Sequence, residues 1–209
     1  MKLLGSAGAR QGFWSMADQG AVSLGNFLTS ILLARRFAPA EYGIYALLLA
    51  TVFVLNSVQA AVITYPFSLE GAAESECDLQ RRAGGSLVLT VLLAVALTVV
   101  LVVATVVLKR PAIWPYAALA LICWQAQETA RRALMTHGRH RDALWGDLLS
   151  YVGQAILLGL LLLWHGVTLE SAFLVIALTS AVAAGLQALQ LGLRPRHFRP
   201  QQSRNFVSE

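Results

Sequence analysis

Five ionisable residues lie within or beside long apolar stretches, where a charged side chain needs a physical reason. They are Asp18, Glu128, Arg131, Arg132 and Asp147. A charge near the centre of a bilayer costs roughly 2.5 to 3.5 kcal/mol. Glu128 and Arg132 are four residues apart with the acid first, the better orientation for an ion pair within one helix. We therefore expect these residues to form ion pairs or a polar site inside a bundle.

Uncharged polar residues follow the same stretches at helical intervals. In the first stretch Gln19, Ser23, Asn26 and Ser30 are three or four residues apart, so they share one face of a helix. The same spacing places Asn56 with Gln59, and Asp147 with Ser150, Tyr151 and Gln154. Such faces are unlike the lipid-facing surface of a membrane helix. They predict a hydrophilic cavity, open to the cytoplasm, built by the first, second, fourth and fifth helices.

The candidate cavity residues come from four helices and include both charges and amides. They are Asp18, Gln19, Asn26, Asn56, Gln59, Glu128, Arg131, Arg132, Asp147 and Gln154. Two structural alternatives compete with the cavity. The charged members, other than Glu128, can lie at the cytoplasmic interface, where water solvates them. The amides can serve as hydrogen bonds between helices, worth under about 1 kcal/mol per pair.

These residues need six apolar stretches to position them. The predicted helices cover residues 11–36, 41–65, 86–108, 112–136, 142–164 and 169–193, with Pro66 ending the second and a polar loop over 67–85. The run 87–108 has no charge and would be about 33 Å long as a helix, enough to cross a bilayer core of about 30 Å. Hydrophobic residues make up 57% of the chain and charged residues 13%, against about 25% charged in soluble domains. The sequence thus predicts an all-α integral membrane protein, a bundle of six transmembrane helices.

The basic residues predict its orientation. Of the 16 Lys and Arg residues, all but four lie at the N-terminus, in the second and fourth gaps, or at the C-terminus. The four exceptions are Arg35, Arg36, Lys109 and Arg110. The positive-inside rule then places both termini in the cytoplasm. The predicted organisation is a cytoplasmic N-terminus over 1–10, a six-helix lobe over 11–193, and a basic tail or inter-lobe linker over 194–209.

The sequence gives little support for nucleic-acid binding, a phosphate-binding loop, a metal site or a disulfide framework. The basic residues flank apolar segments instead of forming a stripe among aromatic residues, which argues against nucleic-acid binding. No Gly-rich phosphate loop is present, and His137 and His140 lack metal-ligand spacing. Cys77 and Cys123 are too few for a disulfide framework. We expect no catalytic residues, no metal and no cofactor, and hence no enzyme.

Several short segments resemble one family of membrane transporters. They are Phe13-Trp14, Ala17-Asp18-Gln19, Asn26-Phe27-Leu28, the string Ala34-Arg35-Arg36-Phe37-Ala38-Pro39-Ala40-Glu41-Tyr42-Gly43-Ile44-Tyr45, and Arg131-Arg132-Ala133-Leu134-Met135-Thr136-His137-Gly138-Arg139. Together with Asp147 and Gln154, this pattern is similar to the polysaccharide flippases. These are the O-antigen and teichoic-acid exporters of the multidrug/oligosaccharidyl-lipid/polysaccharide exporter superfamily. The resemblance covers about residues 11 to 200.

The resemblance implies a function, a location and a set of partners. It implies movement of lipid-linked oligosaccharide, a polysaccharide precursor, across the inner membrane of a bacterium, with the lipid bilayer and the lipid-linked sugar as partners. It offers Arg35, Arg36, Arg131 and Arg132 as contacts for sugar or pyrophosphate. Family members have twelve to fourteen helices in two lobes, whereas only the N-terminal lobe matches here. A second six-helix lobe or a homodimer is therefore expected to complete the transporter.

Two alternatives stay open beside the flippase. One is an ion-coupled exporter of small molecules from the same superfamily. The other is a membrane subunit that helps to assemble a polysaccharide synthesis complex and transports nothing. The sequence does not identify the sugar or the driving ion.

Overall fold

The computed structural model describes residues 2–71, 76–164 and 166–194, and within these ranges the chain is helical apart from short turns, with no strand. Within these described ranges, six continuous helical segments follow one another. They are α1 (Lys2–Arg36), α2 (Pro39–Gln59, Ala60–Thr64 and Tyr65–Gly71), α3 (Glu76–Val107), α4 (Trp114–Thr136, after a 3-10 turn at Pro111–Ile113), α5 (His140–Asp147, Leu148–Val152 and Gly153–Trp164) and α6 (Leu169–Gln190). The predicted all-α class is confirmed.

Four of these segments are long and apolar enough to cross a membrane. They cover Pro39–Leu69, Asp78–Val107, His140–Trp164 and Leu169–Gln190. The chain therefore has the character of a membrane protein. The other two, α1 and α4, carry many of the polar side chains described below, which lowers their mean hydropathy. The predicted count of six spans stays a prediction.

The boundaries of the second and third helices differ from the prediction. Pro66 does not end α2, which continues to Gly71, and α3 begins at Glu76 within the predicted loop. The backbone forms a π-helical turn over Ala60–Thr64, which ends two residues before this proline. Local π adjustments of this kind let a membrane helix tolerate a proline that lacks its N–H group. Likewise α1 begins at Lys2, well before the predicted start at Gln11.

A second π-helical turn interrupts α5. It spans Leu148–Val152 and begins immediately after Asp147. In the same way, the π turn of α2 at Ala60–Thr64 begins immediately after Gln59. Both of these polar residues are fully buried, and both contact α4. Single π turns often mark functional sites in helices. The two irregular turns thus flank the same level of α4 from opposite sides.

The packing of the bundle is organised around α4. This helix packs most extensively against α6 and then against α3, while α1 lies mainly on α5 and barely touches α2. One apolar cluster includes Tyr45, Leu121 and Phe173, and a second includes Phe67 and Leu134. A layer of buried polar residues lies along α4 between these two clusters. We call it the polar layer; it is built around the buried side chains of Gln125, Gln127, Thr129 and Arg131 on α4.

Glycines bring the helices close together at two contacts. A Cβ atom added to Gly25 would lie 2.6 Å from the backbone carbon of Tyr151, so α1 meets the π turn of α5 directly. A Cβ at Gly146 would overlap the side chain of Gln187 on α6. Close helix approach through small residues is the usual way in which membrane helices gain packing energy. These contacts fix α5 between α1 and α6.

Candidate functional site

The polar layer starts from four side chains on α4. Gln125, Gln127, Thr129 and Arg131 are all buried, with exposed fractions from 0% to 7%. Because residues four apart share a helical face, Gln125 and Thr129 point to one side, whereas Gln127 and Arg131 point to another. The first pair faces α2 and α3, and the second pair faces α5, α6 and α1. Alternating polar residues on α4 therefore serve two different sets of partners.

The Arg131 guanidinium joins three helices. Its Nη2 atom lies 2.7 Å from Asp18 Oδ2 on α1, and its Nε atom lies 2.5 Å from Asp147 Oδ2 on α5. Its Nη1 atom lies 3.1 Å from Glu128 Oε2, one turn back on α4. Asp18 and Asp147 are fully buried, and only 8% of the Arg131 side chain is exposed. These three side chains are therefore shielded from water by the bundle, which argues against the alternative in which water solvates them.

Arg132 makes a different and more exposed contact. Its Nε atom donates to Glu128 Oε1 at 2.8 Å, and 39% of its side chain is exposed. The predicted ion pair between Glu128 and Arg132 is confirmed. Glu128 thus bridges the half-exposed Arg132 and the buried Arg131.

Two glutamines complete the surroundings of Asp147. Gln127 Nε2 donates to Asp147 Oδ1 at 3.3 Å, and Gln187 Nε2 donates to the same atom at 3.4 Å. Neither glutamine was among the predicted site residues. The four-residue spacing between Gln127 and Arg131 is the sequence signal that places both beside Asp147, whereas the position of Gln187 depends on the packing of α6.

The other side of the polar layer is uncharged. Gln59 is fully buried, and its Nε2 atom donates to Thr129 Oγ1 at 2.9 Å and to Thr90 Oγ1 at 3.4 Å. Gln125 Nε2 donates to the backbone oxygen of Leu55 at 3.2 Å. These bonds tie α2, α3 and α4 together at the level of the first π turn. Here the structure shows the hydrogen bonding between helices that the sequence offered as an alternative.

A narrow cleft is lined by residues of α1, α2, α4, α5 and α6. It has a volume of about 10 Å³, room for about one water molecule. Its lining includes the predicted residues Asn26 and Gln154, with Ser150, Tyr151 and Trp124 behind them. Gln154 Nε2 also donates to Thr29 Oγ1 at 3.1 Å, and Trp124 Nε1 donates to Tyr151 Oη at 3.1 Å. At these predicted residues the structure has a small polar cleft with aromatic walls, whereas a larger pocket of about 210 Å³ lies elsewhere, lined by Gln80, His137, Arg139 and Gln190 among others.

The remaining candidates lie at the surface or at the far end. Gln19 and Ser23 are exposed on α1, and Asn56 is half-buried on α2. Arg35 lies about 26 Å of helix rise from Asp18, at 1.5 Å per residue. Because Arg131 contacts Asp18, the structure does not bring Arg35 and Arg36 together with Arg131 and Arg132. The two pairs of arginines therefore lie at different levels of the bundle.

Comparison with protein-family models, with curated proteins and with solved structures gives no match. The resemblance to polysaccharide flippases therefore stays a prediction. Within the described part of the chain, no group of three or more His, Cys, Asp or Glu side chains is placed to hold a metal ion. The geometry shows an ion-pair network of Asp18, Glu128, Arg131, Arg132 and Asp147, with a polar cleft beside it. Asp18, Arg131 and Asp147 of this network are buried.

Proposed function

We propose that this chain is the N-terminal lobe of a transporter that moves lipid-linked oligosaccharide across a bacterial inner membrane. In this proposal all six segments span the bilayer and both termini lie in the cytoplasm. A second six-helix lobe or a second copy of the chain completes the translocation path, because the cleft beside Asn26 and Gln154 has room only for about one water molecule.

The observation that carries the proposal is the polar face of α1. Gln19 and Ser23 are exposed, and Asn26 and Ser30 are half-buried, so this face is left open by the other helices of the lobe. Acyl chains cannot hydrogen-bond to amides and hydroxyls, whereas sugars and water can. The face also runs to the cleft at Asn26. A hydrophilic strip of this kind suits a pathway for hydroxyl-rich head groups.

The charged network supports a transport role in a second way. Ionisable residues buried in membrane segments are costly and usually belong to a functional site. Arg131 links α1, α4 and α5 at one level of the bundle, next to the π turn of α5. Such a link can hold the helices in one arrangement of an alternating cycle. The proposed contact of Arg131 with pyrophosphate is less favoured, because three carboxylates already occupy its guanidinium.

Complementation tests the proposed function directly. A strain that lacks its own flippase for lipid-linked oligosaccharide is given this chain alone, a fusion of two copies, or the chain with a second six-helix lobe. We expect surface polysaccharide to return only when two lobes are present. In the complementing form, Ser23→Leu should reduce polysaccharide at least several-fold, whereas Ser23→Thr should retain it. Failure of every form, with each protein correctly inserted, would favour the non-transporting assembly subunit.

Accessibility to a thiol reagent tests whether the α1 face meets water. In a background with Cys77→Ser and Cys123→Ser, we expect Gln19→Cys and Ser23→Cys to react with a water-soluble maleimide. Val99→Cys on α3 is the matched control, because its side chain is 64% exposed but lies among apolar neighbours, which we expect to face lipid. Equal and low reactivity of Ser23→Cys and Val99→Cys would show that the face is covered, and the proposed path would be wrong.

A further inference from the structure

A pocket of about 210 Å³ lies at one end of the bundle, where the beginning of α3 meets the turn between α4 and α5 and the end of α6. This volume exceeds that of an engineered cavity of about 150 Å³ that holds benzene. Its lining residues are Leu79, Gln80, His137, Arg139, Gln190, Leu191 and Gly192. Because α1 supplies none of these described residues, the pocket is separate from the polar face proposed above as the transport path.

Two glycine turns shape the pocket. Gly138 after α4 and Gly192 after α6 have φ angles of 69° and 70°, a left-handed conformation that glycine adopts without steric cost. A Cβ atom at Gly192 would lie 2.9 Å from Nε2 of Gln80, so the beginning of α3 approaches the end of α6 closely. Leu79 and Leu191 belong to the second apolar cluster and form an apolar wall. The pocket is thus held in shape by the ends of several packed helices.

Polar atoms around the pocket are left for a ligand. His137 Nε2 and Gln190 Oε1 are shielded from water but have no hydrogen-bond partner among the described residues. Polar atoms in this situation are rare in native structures, and a bound ion or water is a usual explanation. Arg139 uses its Nε and Nη2 atoms for Asp142, at 2.8 and 2.7 Å, which leaves Nη1 available. With the amide of Gln80, the lining therefore offers N–H donors and a carbonyl acceptor.

The surroundings of the pocket are basic. Within two residues of the lining along the chain there are five arginines, and Asp78 is the one acid. The arginines are Arg81, Arg82, Arg139, Arg141 and Arg194. Asp142 adds a second acid through its pair with Arg139. Arginine suits phosphate because its N–H groups donate charge-assisted hydrogen bonds to phosphate oxygens. Basic pockets between membrane helices accordingly bind the head groups of anionic lipids.

An exposed apolar strip on α6 leads to the pocket. Its members are exposed and lie three or four residues apart, so they share one face of the helix. They are Leu178, Val182, Gly185 and Leu189. Leu189 is 77% exposed and immediately precedes Gln190 of the lining. A strip of this kind suits an acyl chain, whereas a soluble phosphate would leave it unused. The strip and the pocket together fit a lipid with a phosphate head group.

We propose that this pocket binds an anionic phospholipid whose head group carries free hydroxyls, of the phosphatidylglycerol class. Arg139, His137 and Gln80 donate to the phosphate oxygens. Gln190 Oε1 accepts from a head-group hydroxyl, and one acyl chain lies along the α6 strip. The bound lipid joins the ends of α3, α4 and α6, so it stabilises the folded bundle. This site does not depend on the cargo proposed above.

Native mass spectrometry of the purified full chain, titrated with single lipids in detergent, measures this binding without any substitution. We expect phosphatidylglycerol to bind several-fold more tightly than phosphatidylmethanol, which has the same charge but no hydroxyl. Zwitterionic phosphatidylethanolamine should bind more weakly still, and soluble glycerol phosphate at equal concentration should not displace the bound lipid. Equal binding of the three lipids would overturn the proposal. Displacement by glycerol phosphate would overturn it as well, because the ligand would then be a soluble phosphate.

Two substitutions separate recognition of the phosphate from recognition of the hydroxyl. Arg139→Gln should weaken the binding of both anionic lipids about tenfold, the effect of losing one hydrogen bond to a charged group. Gln190→Leu should weaken the binding of phosphatidylglycerol alone, down to the affinity of phosphatidylmethanol. Circular dichroism checks that each variant is folded.

Arg141→Gln is the matched control for Arg139→Gln. It removes the same charge two residues along the chain, but the Arg141 guanidinium lies over the Trp14 ring at 5.9 Å, outside the lining. This variant should retain the affinity of the wild-type chain for phosphatidylglycerol. Equal losses for Arg139→Gln and Arg141→Gln would mean that the arginines attract lipid only through their total charge, and the pocket would not be the site.

Discussion

Replacing Arg131 with glutamine is expected to destabilise the folded protein by about 3 to 5 kcal/mol, the usual cost of removing one partner from a buried ion pair. The guanidinium contacts Asp18, Glu128 and Asp147, and no other cation reaches the two aspartates among the described residues. Its loss leaves buried carboxylates without a counter-charge. Thermal or denaturant unfolding of the purified protein in detergent, followed by circular dichroism, measures the effect.

The adjacent arginine is the matched control. Arg132→Gln removes the same chemical group one residue along α4, but its side chain is 39% exposed and pairs only with Glu128 in the network. Ion pairs with this much exposure are worth less than about 1 kcal/mol. The double variant Asp18→Asn/Arg131→Gln should be more stable than Arg131→Gln alone, because one buried carboxylate is gone. Equal losses for Arg131→Gln and Arg132→Gln would contradict the buried network.

Gly25→Ala is expected to destabilise the packing of α1 on α5 by about 1 to 3 kcal/mol, the range for overpacking a tight contact. The added methyl group would lie 2.6 Å from the backbone carbon of Tyr151 and 2.7 Å from its backbone oxygen. These are main-chain atoms, which cannot rotate away as a side chain can. The helices must separate, and this would also stretch the contact between Asp18 and Arg131. The same unfolding measurement reports the loss.

Gly20→Ala distinguishes a packing effect from a general effect of glycine in α1. A Cβ atom at Gly20 meets nothing within 4 Å. Alanine is the better helix former by roughly 0.8 to 1 kcal/mol, so this variant should be as stable as the parent or more stable. If Gly20→Ala and Gly25→Ala change stability in the same direction, the close approach at Tyr151 does not exist.

The location of the site could be predicted in part. The polar faces of α1 and α5 and the pair of Glu128 with Arg132 are visible as spacings of three and four residues. Those spacings do not indicate which helix faces pack against each other. Asp18 and Arg131 are 113 residues apart in the chain, and only the folded bundle brings them within 2.7 Å. For the same reason the sequence left open whether these charges are solvated or buried.

The fold, like the site, could be predicted from the sequence only in part. Apolar composition and the lengths of the apolar runs determined an all-helical membrane protein, because helices satisfy their own backbone hydrogen bonds without water. The π turns at Ala60–Thr64 and Leu148–Val152, and the continuation of α2 through Pro66, were not predictable from local propensity.

The sequence by itself determined the helical class, the approximate helices and the polar face along each, since all of these depend on neighbours in the chain. Only the tertiary structure decided that Arg131 joins Asp18 to Asp147, and that α1 packs on α5 instead of α2. The physical reason is that helix faces are set by local periodicity, whereas their partners are set by shape and charge complementarity over long sequence distances. The contact of Arg131 with Asp18, Glu128 and Asp147 depends on this complementarity, so the sequence alone does not predict it.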